Sequence, residues 1–115
     1  MKLPMPPSTN NLFVNIPKRG RVPSARYKAW KTAAGLTLNV QRPPAVSGSV
    51  DVSILVPQKT RGDIDNRIKA ILDLLVTHRV IEDDSKIAAL IVRRHPNVAP
   101  DTVEVIAFPS AKEAA

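Results

Sequence analysis

Residues 49–56, Ser-Val-Asp-Val-Ser-Ile-Leu-Val, alternate polar and apolar side chains. Shortly after them, Ile64, Ile68, Ile71, Leu72 and Leu75 recur at i, i+4, i+7, i+8 and i+11. The first period is that of a strand with one buried face, and the second that of an amphipathic helix. Pro57 ends the strand, and Gln58 to Gly62 form a polar, basic loop. Asp63 is the natural N-cap of the helix, because its carboxylate can accept orphan backbone N–H groups. A strand feeding a helix through a charged loop is the centre from which the rest of the chain is read.

Upstream, Ser24 is a plausible N-cap for a helix from about Ala25 to Val40, which carries Tyr27, Trp30, Ala34 and Leu38 at helical spacing. Arg42-Pro43-Pro44 stops it. Residues 12–23 read as a basic loop containing Lys18-Arg19-Gly20-Arg21, residues 8–11 as a turn, and residues 1–5 as a short edge strand ended by Pro6-Pro7. Downstream, Lys86 to Arg94 reads as a buried strand, with a helix from Ser85 as its competitor because Ala88-Ala89-Leu90 favours one. Pro96 to Pro100 make a turn, and Thr102 to Phe108 alternate as a final strand. The order β-α-β-α-β-β predicts an α+β (α/β-like) fold with one mixed sheet and two main helices. A single domain over residues 1–110 is expected, with a frayed tail at 111–115.

The chain has 115 residues, enough for one domain that buries roughly 65% of its unfolded surface. Aromatic residues make up only 3%, so the core must come from Ile, Leu, Val and Ala. There are no cysteines, which excludes disulfides, Cys-ligated zinc and thiol catalysis. The formal charge is +7 and the sequence pI about 10.3, a balance that attracts polyanions, nucleic acid foremost. Met1 to Pro7 lack the apolar run of a signal peptide, and no stretch approaches the ~20 apolar residues of a membrane span. A soluble, intracellular protein is expected.

Asp63, Asp65, Asp83 and Asp84 each have a bland reading as caps or exposed charges, and Lys69 lies four residues from both Asp65 and Asp73, where it can form surface pairs. Together they suggest more. Helical residues two apart point about 200° away from each other, so Asp63 and Asp65 converge only if Asp63 caps the helix from outside. Asp84 joins them if the chain returns beside the helix N-terminus. Three acids at one point call for a hard cation such as Mg²⁺, and two such ions roughly 4 Å apart can activate water against a phosphodiester. Lys69 could then stabilise developing negative charge, and Lys59, Arg61 and Arg67 flank the acids with phosphate-binding charge.

These residues resemble a known family. Asp63-Ile64-Asp65-Asn66, then Lys69 and Asp73, then Asp83-Asp84, are similar to the signature of the RusA Holliday-junction resolvases, as is Pro6-Pro7-Ser8-Thr9-Asn10. The resemblance spans about residues 3 to 108. It implies a homodimeric, Mg²⁺-dependent endonuclease for branched DNA, with Mn²⁺ able to substitute, cytoplasmic and bacterial or phage-encoded. Asp63, Asp65 and Asp84 match the metal-binding acids and Lys69 the catalytic lysine, with Asp83 a secondary candidate. Gly62 and Arg79 depart from the pattern, standing where relatives often have Arg and Gly.

Other features have balanced readings. Lys18, Arg19 and Arg21 are candidate DNA contacts or a solvated loop. Tyr27 and Trp30 are expected in core or dimer packing rather than base stacking, and His78 and His95 at the surface. The rival functions are a non-catalytic module that binds branched DNA, and a phosphatase using Asp63 as nucleophile. Mg²⁺-dependent nicking argues against the first, and turnover of a small phosphomonoester favours the second.

Overall fold

The computed structural model describes residues 1–8, 13–62 and 64–111. Its centre is strand β4 (Val50–Pro57), whose Val50, Val52, Ile54 and Val56 are buried on one face. β4 pairs in parallel with β5 (Ile87–His95) and antiparallel with β6 (Thr102–Pro109), while β1 (Lys2–Pro4) pairs antiparallel with the outer edge of β6. The result is a mixed four-stranded sheet in the order β1-β6-β4-β5. A parallel pair needs a crossover connection, and helix α2 (Ile64–Thr77) makes it between β4 and β5.

Helix α1 (Ala25–Gln41) and α2 supply Tyr27, Trp30, Ala34, Leu38, Ile68, Ile71, Leu74 and Leu75 to the core. They meet the alternate residues of the sheet that point to one side, among them Leu3, Val103 and Val105. Ser24 caps α1 as the sequence predicts, its hydroxyl accepting from the Tyr27 N–H at 3.1 Å. At the other end Arg42 adopts a left-handed conformation, φ 48°, and its N–H bonds the Leu38 carbonyl. Trp30 is a core residue whose Nε1–H donates to the Pro4 carbonyl at 2.8 Å. The Gln41 amide exchanges hydrogen bonds of 2.6 and 2.7 Å with the Lys2 backbone. These contacts fasten the three-residue edge strand β1 to α1.

Three expectations are corrected. Within the stretch read as a loop over residues 12–23, β2 (Phe13–Ile16) and β3 (Gly20–Pro23) form a separate antiparallel hairpin. Its turn passes through Lys18 at φ 69° and Gly20 at φ 74°, and the glycine adopts this conformation without the steric cost of a Cβ. The order is therefore β-β-β-α-β-α-β-β. Secondly, β5 is an edge strand rather than a fully buried one, with Leu90 and Ile91 each 43% exposed. The competing helix is confined to one 3₁₀ turn, Asp84–Lys86, because pairing with β4 takes the rest. Thirdly, His78 and His95 are half-buried. The His78 ring sits against Gly35, where an added Cβ would lie 2.7 Å from Nε2.

The predicted capping by Asp63, most of the turn at residues 8–11 and most of the tail at 111–115 lie outside the described residues. Among the described residues, no helix is long and apolar enough to cross a membrane.

Candidate active site

The C-terminal end of α2 determines where the chain returns. Arg79, at φ 60°, donates its N–H to the Val76 carbonyl at 3.1 Å, and the Val80 N–H reaches the Leu75 carbonyl at 2.9 Å. This pair of bonds is a Schellman motif, with Arg79 in the left-handed position usually given to glycine. Val80 and Ile81 then bury their side chains. Ile81 makes a parallel bridge to Val46, and the Val46 N–H donates to the Val80 carbonyl at 2.8 Å. The Glu82 carboxylate accepts from the Gly48 N–H, so this acid braces the neighbouring loop.

Asp83 is the N-cap of the 3₁₀ turn. Its carboxylate accepts from the Ser85 N–H at 3.2 Å and from the Ser85 hydroxyl at 2.5 Å. These bonds, that from the hydroxyl first, hold its pKa below the usual carboxylate value. The capping role expected of an acid here thus falls to Asp83, which leaves Asp84 as the first residue of the turn.

Asp84 lines an open pocket of about 370 Å³ together with Asp65, Ile68, Lys69, Leu72, Asp73, Leu90 and Val92. Asp65 lies in the first turn of α2, and Lys69 follows one turn later on the same edge. The topology therefore brings two of the three predicted acids and the lysine to one concavity between α2 and edge strand β5. Asp63, the third acid, is outside the described residues. Among the described residues no group of three metal-ligating side chains forms. Asp65 and Asp84 offer hard carboxylate oxygens, the donor set that suits Mg²⁺, an ion commonly held by one or two carboxylates with water completing its shell.

A second cavity, of about 330 Å³, is lined by Met5, Pro57, Lys59, Thr60, Arg61, Arg67, Pro100 and Asp101. Residues 65 and 67 point to nearly opposite sides of a helix. The first turn of α2 thus carries an acid towards one pocket and an arginine towards the other. The Arg67 Nε is buried with no hydrogen-bond partner among the described residues. The sequence offers Arg93-Arg94-His95 as a phosphate contact or as the polar end of a strand; in the structure the Arg94 guanidinium, on β5, donates to the carbonyls of Gln58 and Thr60 and so braces the loop that carries Lys59 and Arg61. Its signal, an arginine within an apolar strand, was visible, but its partners are 34 and 36 residues away.

The remaining cationic candidates sit on the hairpin. Lys18 and Arg19 are exposed in its turn, and the Arg21 guanidinium lies over the Phe13 ring at 4.7 Å. Phe13 in turn meets the edge of Tyr27 at 5.6 Å, which docks the hairpin on α1.

Comparison with individual curated proteins gives no match. A family model described as Endodeoxyribonuclease RusA matches residues 4–106, which include the cationic hairpin, both pockets and the whole β4-α2-β5 unit. The chain belongs to the RusA endodeoxyribonuclease family.

Proposed function

We propose that this protein resolves Holliday junctions as a homodimeric, Mg²⁺-dependent endonuclease that nicks two strands symmetrically. The observation that carries the reading is the convergence of Asp65, Lys69 and Asp84 on one pocket, with a cationic cavity across the same helical turn. Asp65 and Asp84, with Asp63, are the residues that would hold the cation. Such an ion supplies Lewis-acid neutralisation of the charge that develops on a phosphodiester under attack by water.

The chain's own residues do the rest. Lys69 places an ammonium group at the pocket wall, where it can donate to a non-bridging oxygen and favour the more highly charged transition state. Lys59, Arg61 and Arg67 bind a flanking phosphate, and Lys18, Arg19 and Arg21 extend the cationic surface to a further duplex arm. These contacts fix register and confer affinity, which falls with salt as counterions are released. A junction needs cuts in two strands, and a two-fold dimer presents two identical sites by symmetry.

The test is a four-way junction incubated with and without Mg²⁺, using wild type and Asp65→Asn. Wild type is expected to make paired, symmetric nicks only with the ion. Asp65→Asn should lose cleavage yet bind the junction at least as well, since removing a carboxylate does not weaken attraction to phosphate. Full cleavage by the variant refutes the assignment. Binding without any nicking by wild type favours the non-catalytic module instead.

A further inference from the structure

The two helices cover only one face of the sheet. On the other face lie Asp51, Ser53 and Leu55 of β4, flanked by Ala89, Ile91 and Arg93 of β5 and by Glu104, Ile106 and Phe108 of β6. Ile91, Ile106 and Phe108 are 43%, 57% and 41% exposed, a concentration of large apolar groups on a surface otherwise rich in charge.

The register arranges these residues in three rows across the central strand. Glu104 and Arg93 both pair with Leu55, Ile106 and Ile91 both pair with Ser53, and Phe108 and Ala89 both pair with Asp51. A two-fold axis lying between two such faces and running along β4 exchanges the flanks row by row. Each Glu104 then faces Arg93 of the second copy, each Ile106 faces Ile91, and each Phe108 faces Ala89. The charges are opposite, the middle row is apolar on both sides, and in the last row the largest side chain meets the smallest. An isologous interface requires this kind of self-complementarity. Two-fold axes perpendicular to β4 would instead set Phe108 against Glu104.

A concavity of about 410 Å³ lined by Met1, Lys2, Gln41, Leu55, Glu104 and Ile106 opens on this side.

From this geometry we infer that the sheet face left uncovered by the described residues is a docking surface for a second copy of this chain, packed sheet on sheet with Arg93 of each protomer on Glu104 of the other. The packing is the aligned sandwich arrangement, with sheets about 10 Å apart. One row opposes it. Asp51 meets its own copy, and its Oδ1 is already buried without a hydrogen-bond partner among the described residues. Neutralising that residue should therefore tighten the pair. The inference gives a location to the dimer invoked for paired nicking and rests on that reading only for its purpose.

Sedimentation of the full chain, without DNA or metal, tests it. Wild type should be dimeric at micromolar concentration. Ile106→Arg, Arg93→Glu and Glu104→Arg should each weaken the dimer by tenfold or more while keeping the wild-type circular dichroism spectrum. The double exchange Arg93→Glu/Glu104→Arg should restore it, a recovery that a merely misfolded single variant would not show. Asp51→Asn should strengthen association. A monomeric wild type, an Ile106→Arg dimer of wild-type affinity, or a double exchange no better than its single variants overturns the inference. None of these readouts depends on cleavage, so a dimer seated elsewhere leaves the nuclease reading intact, and an inactive protein that pairs through this face leaves the interface intact.

Discussion

Replacing Arg79 with glycine should stabilise the protein at high salt without altering catalysis. Arg79 is exposed, lies at φ 60° and closes the Schellman turn after α2. A left-handed conformation costs an L-residue roughly 1–2 kcal/mol, and the greater unfolded-state freedom of glycine takes back about 0.5–1 kcal/mol. The difference leaves a net gain of about 0.5–1 kcal/mol for Arg79→Gly, or a Tm rise of about 2–4 °C for a chain of this size. Arg79 also faces the negative end of the helix dipole, a favourable contact worth roughly 0.3–1 kcal/mol at low ionic strength. Urea unfolding at high salt, where that contact is screened, isolates the backbone effect. Arg79→Ala is the control, because it removes the same charge and keeps the positive φ. If Arg79→Gly is no more stable than Arg79→Ala, the conformational argument fails. Cleavage by both variants should match wild type, since the turn directs the chain towards Asp84 through the buried Val80 and Ile81 rather than through the arginine side chain.

Gly35→Ala should lose, in urea unfolding, most of the roughly 1 kcal/mol that alanine normally adds over glycine in a helix interior, because its methyl would meet the His78 ring inside contact distance and the ring must shift. The double variant Gly35→Ala/His78→Ala should recover part of that loss, and no recovery would mean that the ring is not the obstacle. Arg94→Ala should weaken junction binding about fivefold, the equivalent of ~1 kcal/mol, by releasing the loop that carries Lys59 and Arg61. The rate at saturating DNA should hold, and a fall in that rate with unchanged affinity would place Arg94 in the chemistry instead.

The parts of the fold that were legible in the sequence are those governed by local physics. Ser24, the Tyr27-Trp30-Ala34-Leu38 spacing and Pro43 bracket α1 within a residue or two, because capping and period are properties of neighbouring residues. The alternation of β4 and the stripe of α2 were equally plain. The hairpin was not, because Phe13 to Ile16 are exposed on both faces and show no buried period. Its anchor, Phe13 on Tyr27, is a tertiary contact. For residues 87–95, local propensity left helix and strand open, and pairing with β4 decided between them. The candidate site divides in the same way. Asp65 and Lys69 share a helix edge by spacing alone. The arrival of Asp84 beside them depends on the crossover and on the Schellman turn, and no spacing encodes either.

The opposed settings of Asp65 and Arg67 have an evolutionary consequence. Each added residue turns a helix by about 100°. A single insertion between Asp65 and Lys69 would therefore turn the lysine out of line with the acid, however well the helix still formed. Insertions in the turn after β5 or at the hairpin tip change no such phase. Homologues of this chain should accordingly vary in length at residues 17–19 and 96–100 and keep a fixed count from 64 to 73.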